Sequence, residues 1–176
     1  METSRNINII VAGCLLKSGK VGIGAGGKIP WTSQEDMARF RQITLHSTVI
    51  MGRKTWESLP VRFRPLKLRN NIVISNNTQF KCPGAVLARS LDEAISLCEP
   101  EKKIFIIGCE TLYNEIIDKH PEKINHLYFS AINYDILEVR ENEIDTFFHL
   151  EKYISIDWKQ VETKTYDDHK FTLYCL

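Results

Sequence analysis

Apolar positions along this chain fall into two patterns. Unbroken runs occur at Ile7 to Ala12, Val49-Ile50-Met51, Asn71-Ile72-Val73-Ile74-Ser75 and Ile104-Phe105-Ile106-Ile107-Gly108. Runs with no polar alternation are the mark of strands buried on both faces of a parallel sheet. Between them the spacing turns helical. Met37, Phe40 and Ile43 share one face of the stretch 33–45, and Ser33 with Asp36 predicts its capped start. Ser90 with Glu93 predicts a second capped helix ending near Glu99-Pro100, and a third is expected over 110–117. A short strand is expected at Ala85 to Ala88 and a turn over 59–65. Strands alternating with helices predict an α/β fold, a mostly parallel sheet covered on both faces. The last third differs: 124–132 and 158–176 carry few helical signals, and 170–176 alternates as a strand of an antiparallel hairpin does. The stretch 17–28 is rich in glycine, runs into Ile29-Pro30-Trp31, and reads as a loop.

Composition narrows the classes. A chain of 176 residues, 43% hydrophobic and 26% charged, fits one domain over 1–176 with a sizeable core. Its net charge of +1, with acids and bases interspersed, gives no footprint for nucleic acid. The apolar runs are too short to cross a bilayer, and the opening M-E-T-S-R-N has no secretory apolar region, so no membrane association and a cytoplasmic location are expected. Cys14, Cys82, Cys98, Cys109 and Cys175 are scattered and odd in number, with no C-x-x-C pair. Free thiols in a reducing compartment are expected, with no zinc or other metal site, and the histidines share no ligand spacing. No exposed apolar stripe stands out, which predicts a monomer.

The segment V-I-M-G-R-K-T-W-E-S-L-P, 49–60, carries the first chemistry. A buried strand ends in Gly52, which lets a backbone or ligand approach closely, and delivers Arg53 and Lys54 toward a polyanion. Thr55 is read as the cap of the turn that follows. An ordinary solvated cation pair at a strand end is the competing reading. The loop G-I-G-A-G-G-K invites a dinucleotide or Walker-type reading, but both require it to open into a helix. Pro30 biases the residue before it away from helix, so the loop reads as a mobile flap over a ligand. Asp36, just beyond it, is either a helix-terminal carboxylate or a catalytic acid; Glu35 points roughly 100° away around the helix.

These motifs resemble the dihydrofolate reductase family. M-G-R-x-T-W-E-S, G-I-G-x-x-G-x-I-P-W, W-x-x-x-x-D-x-x-x-F, R-P-L-x-x-R-x-N and D-T-x-F occur in matching order between Ile7 and Leu173. The resemblance implies a central eight-stranded, mostly parallel sheet with a C-terminal antiparallel hairpin and helices on both faces. It implies NADPH-dependent hydride transfer to C6 of 7,8-dihydrofolate, with protonation at N5, and binding of antifolates such as methotrexate. By the same match Asp36 grips the pterin, with Trp31 and Ser130 completing the catalytic set. Ser130 stands where a threonine usually bonds the acid. Ile10, Val11, Ile29, Met37 and Phe40 would surround the ring, with Thr44, Ser58, Leu59 and Leu66 along the substrate, Ile107 and Tyr113 beneath it, and Arg69 on the α-carboxylate of its tail.

For the cofactor, the match implies Gly52, Arg53, Lys54, Thr55, Ser75, Asn76 and Arg89 around the phosphates. Ala12, Ile23, Gly27 and Ile29 would lie along the flap side. Ile107, Gly108, Cys109, Glu110, Thr111, Leu112 and Tyr113 would form a second cradle. Asp145 would anchor the flap, in which Leu15 to Lys20 holds a few extra residues. Besides Ser130, four positions depart from the family: Leu68 replaces a glycine, Asn76 a basic residue, and Cys109 the second glycine of a cis Gly-Gly, while Glu110 sets a negative charge beside a pyrophosphate. A riboflavin-pathway pyrimidine reductase and a folate-binding relative with weak turnover are the alternatives.

Overall fold

The computed structural model describes residues 7–154 and 157–175; the opening residues 1–6 and Leu176, both used above, lie outside them. The chain runs β1 (Ile7–Leu15), β2 (Val21–Gly24), α1 (Gln34–Thr44), β3 (Thr48–Gly52), α2 (Arg53–Ser58), β4 (Asn70–Ile74), β5 (Val86–Ala88) and α3 (Leu91–Ser96). It continues β6 (Ile104–Ile106), α4 (Glu110–Lys119), β7 (Ile124–Ile132), β8 (Thr146–Phe148), α5 (Leu150–Ile154), β9 (Lys159–Thr165) and β10 (His169–Cys175). The main path of the sheet is β5-β4-β3-β6-β1-β7-β10-β9. Its pairs are parallel from β5 through β7, and β10 is antiparallel to both β7 and β9.

The main path has the expected eight strands; β2 and β8, which lie off it, bring the whole sheet to ten. The glycine-rich stretch read as a loop contains β2, which pairs antiparallel with β1 and with β8. Strand period two sorts the core into two faces. Ile9, Val11, Ile50, Ile106 and Phe129 face α3 and α4, meeting Leu91, Ala94, Leu112, Tyr113 and Ile116. Ile10, Val49, Met51, Val73 and Phe105 face the other way, against Trp56, Leu66 and the Phe40–Ile43 side of α1. Full burial stabilises each such aliphatic side chain by roughly 1.5–3 kcal/mol.

Helix ends follow the predicted chemistry with three adjustments. Ser33 Oγ accepts from the Asp36 N–H at 3.2 Å, so α1 begins where the pattern placed it. Ser90 Oγ accepts from the Glu93 N–H, while the Glu93 carboxylate takes the Arg89 N–H instead of closing the box on Ser90. Helix α3 stops at Ser96, short of Glu99-Pro100. Thr55 is not a cap: α2 starts at Arg53 after Gly52, and Thr55 lies inside it. As a crossover helix between parallel strands, α1 runs antiparallel to β3, which puts Asp36 at the edge of the sheet where the parallel strands end. No described helix is long and apolar enough to cross a membrane.

Leu68 occupies a left-handed conformation, φ 59°, and its carbonyl accepts the N–H of His46, itself at φ 60°. A position that suits glycine is filled by a side chain that is 64% exposed and packs little. The left-handed region costs a non-glycine residue about 1–2 kcal/mol, partly offset by glycine's greater unfolded-state freedom. Leu68→Gly should therefore raise stability by about 0.5–1 kcal/mol, read as a higher urea midpoint at unchanged slope. A lower midpoint would show that Leu68 packs more than its exposure suggests.

Candidate active site

The ends of β3, β4 and β6 enclose a cleft of about 420 Å³ whose lining includes Gly52, Arg53, Lys54, Ser75, Asn76 and Cys109, with Thr111 and Leu112 from α4. Two backbone bonds stitch its floor: Gly52 N–H to the Gly108 carbonyl at 2.9 Å, and Ile107 N–H to the Ile50 carbonyl at 3.0 Å. The Gly108–Cys109 peptide is cis, and Gly108 sits at φ 133°. Thr55 lies directly over Gly108, its Oγ1 2.8 Å from where a β-carbon would stand. Cys109 finds room because Gly52 has no side chain: a β-carbon at Gly52 would be 3.1 Å from the Cys109 sulfur. The departure from Gly-Gly is thus absorbed by the glycine opposite.

Glu110 does not oppose an anion in the cleft. Its Oε2 accepts the Phe147 N–H at 3.0 Å and its Oε1 lies 3.3 Å from His149 Nε2, so the charge is turned toward β8. Arg53 makes an exposed pair with Glu57, of little energetic weight, and its guanidinium carbon lies 6.0 Å from the Phe80 ring centre. The Ser75 hydroxyl accepts the Asn77 N–H, shaping the turn after β4 as well as lining the cleft. Arg89 follows β5 and is exposed, outside the cleft lining. Two exposed cations and the first turn of α4 suit a phosphate-bearing dinucleotide such as NADPH.

The flap is fastened from below. Asp145 Oδ2 accepts the Gly26 N–H at 2.9 Å, and the Asp145 N–H reaches the Gly24 carbonyl. The Gly26 N–H and the Thr146 hydroxyl hold the Asp145 carboxyl below the usual carboxylate range. A second fastening was not foreseen: Glu141 accepts the Lys17 and Ser18 N–H groups at 3.1 and 3.0 Å. Gly27, at φ 76°, turns the flap tip, and Ile23 packs beneath it against the core.

On the other side of the sheet edge stands α1. Ile29 and Met37 are 64% and 58% exposed, while Phe40 packs against the core that holds Ile10 and Leu66. Ala12, Ser130 and Phe171 pair in register across β1, β7 and β10, so their side chains form one row. Ser130 is buried in that row, and among the described residues no hydrogen bond joins its hydroxyl to Asp36. The nearest charged partner of Asp36 is Arg39, with Nη1 4.0 Å from Oδ1. Trp31 is buried with Cys14, Leu16, Ile132 and Ile144, wedging the chain between flap and α1.

Three assignments to the substrate change. Val11 points to the opposite face, into the core under α4, because neighbours in a strand alternate. Thr44 is fully buried; its Oγ1 donates to the Phe40 carbonyl and accepts from Arg69 Nη1 at 3.1 Å, so it orients Arg69 instead of bordering a ligand. Tyr113 is a brace whose hydroxyl donates to the Ile10 carbonyl at 2.9 Å. Burial pushes that phenol well above its usual pKa, which keeps it a donor. Arg69 also bonds the Lys67 carbonyl; burial first, then the nearby Arg41 cation, lower its pKa. A guanidinium beside a second cation is a receptor for a carboxylate. Asn71 clasps the Leu66 backbone from both sides, and the Ser58 hydroxyl bonds the Thr55 carbonyl, fixing the turn that carries Leu59.

The sequence reading missed Arg39, Asp168 and His169, which meet beside Asp36. A cation three residues after an acid on a helix was a usable signal. The histidine was not, since it arrives from 130 residues away.

A model of the dihydrofolate reductase family matches residues 6–175. The dihydrofolate reductase of Candida albicans is 37% identical over 159 residues, 84% of this chain and 79% of its own length. The type 3 dihydrofolate reductase of Salmonella typhimurium is 32% identical over 154 residues, 87% of this chain and 86% of that protein. The dihydrofolate reductase of Mycobacterium leprae is 47% identical over 91 residues; the chain spans only 55% of its length. With the family matched across the cleft, the flap and the C-terminal hairpin alike, this chain belongs to the dihydrofolate reductase family.

Proposed function

We propose that the chain reduces 7,8-dihydrofolate to 5,6,7,8-tetrahydrofolate with NADPH. The observation that carries this reading is the convergence, along one edge of the sheet, of a cationic glycine cleft and the first turn of α1 bearing Asp36. The cofactor's contribution is hydride donation from its nicotinamide to C6 of the substrate. Arg53, Lys54 and the first turn of α4 hold its phosphates. Asp36 accepts the paired N–H groups of the pterin edge, a charge-assisted grip that orients C6 and favours a proton at N5, delivered through a water. Phe40, Met37 and Ile29 exclude bulk water from the ring, and Arg69 with Arg41 receives the substrate's anionic tail.

Mixing the protein with NADPH and dihydrofolate should consume NADPH absorbance, and methotrexate should stop it competitively with dihydrofolate. NADPH that persists under those conditions would overturn the reading. Consumption with a riboflavin-pathway pyrimidine in place of dihydrofolate would favour the alternative reductase.

A further inference from the structure

We propose that Arg39 is a positioning residue for Asp36, clamped from behind by the buried His169, with its partner Asp168, and by the rings of Tyr166 and Phe171. The inference rests on the reading of Asp36 as the active-site acid. Arg39 lies one helical turn after Asp36 on α1, with its side chain 14% exposed. Its guanidinium carbon is 4.2 Å from the ring centre of Tyr166 and 4.7 Å from that of Phe171. Its Nη1 is 2.7 Å from His169 Nε2. His169 is fully buried, and its ring lies flat on Tyr166, with centroids 4.7 Å apart and planes at 4°.

The hydrogen-bond inventory sets the protonation. An arginine only donates, so His169 Nε2 must present its lone pair, and the ring proton then sits on Nδ1 and donates to Asp168 Oδ1. That bond, against opposing burial, holds the Asp168 carboxyl below the usual range. The bonded chain therefore runs from Arg39 to His169 to Asp168, each donor pointing away from Asp36, so that the guanidinium is held from the far side. A planar, permanently charged group fits between two rings where an ammonium would not.

At 4.0 Å, Arg39 does not bond Asp36 directly; it sets a fixed positive charge on one side of the carboxylate. Asp36 is in the first helical turn, where solvent and helix amides compete for the carboxylate. A cation over Phe171 biases it toward the row Ala12–Ser130–Phe171 at the sheet edge. The C-terminal hairpin thereby reaches back to aim the acid, a task that no residue of α1 performs alone.

The test is a double-mutant cycle. Arg39→Met should lower kcat/KM for dihydrofolate by about tenfold, the scale of a modest misplacement, with the Kd for NADPH unchanged. In an Asp36→Asn background the same substitution should have no further effect. His169→Gln, which keeps an acceptor facing the guanidinium, should lose less than His169→Phe. Should His169→Phe fold poorly, Arg39→Met and the cycle still decide. Additive losses in the double variant, or a fall in NADPH affinity that matches the fall in turnover, would reduce Arg39 to a structural residue. A loss in Asp36→Asn with none in Arg39→Met removes the inference alone. Full turnover in Asp36→Asn removes the acid assignment and the inference together.

Discussion

Replacing Asp36 with asparagine should cut kcat for dihydrofolate at neutral pH by about a hundredfold or more, the scale of a lost acid–base or charge-stabilising group. The substitution is nearly isosteric, so it isolates charge from shape. The cap of α1 is made by Ser33 on the backbone N–H of residue 36, which asparagine retains. The helix loses one first-turn negative charge, about 0.3–1 kcal/mol of dipole interaction, so the fold should survive. NADPH binding should be nearly intact, because the lining of the cationic cleft comes from β3, α2, β4, α4 and their adjoining turns and contains no part of α1. Steady-state turnover and a fluorescence titration with NADPH check the two halves separately. Near-normal turnover would remove Asp36 from the chemistry.

The second large effect is expected from Gly108→Ala. Two independent penalties coincide: a φ of 133° that side-chain-bearing residues rarely adopt, and a β-carbon 2.8 Å from Thr55 Oγ1. Together they should destabilise the protein by about 2–3 kcal/mol and weaken NADPH, since relief requires moving Thr55 or the turn itself. Adding Thr55→Ala should recover only part of the loss, because it removes the contact and leaves the dihedral. Cys109→Gly, by contrast, should change little: the thiol already fits over Gly52. A Gly108→Ala protein with an unchanged urea midpoint would show that the turn relaxes freely.

Much of the architecture was legible because it depends on local signals. Strands β3, β4 and β6 announce themselves as unbroken apolar runs, and Ser33 and Ser90 mark helix starts through chemistry contained in four residues. Strands β2 and β8 do not announce themselves. Val21–Gly24 and Thr146–Phe148 are short, and the first alternates with glycine, so pairing, of β2 with β1 and of β8 with β2, is what makes them strands. The resemblance named candidate site residues but carried nothing about their directions. Val11 turns away from α1, Thr44 turns inward onto Arg69, and Glu110 turns toward β8. Direction depends on strand parity and on partners far along the chain, which a motif does not record. Leu68 is the opposite case: its place where the family carries glycine drew notice to the turn, and the backbone there is left-handed.

The placement of β1 in mid-sheet has a consequence in time. Asn8 bonds the Ile104 carbonyl 96 residues later, Ile10 is braced by Tyr113, and Arg39 waits for His169 across 130 residues. A topology dominated by such distant closures folds slowly for its size. During synthesis the pterin side of the site cannot take shape until β10 has emerged and slid in between β7 and β9. Until then a nascent chain exposes the unpaired edge of β7, and its demand on chaperones should end only when that last closure is made.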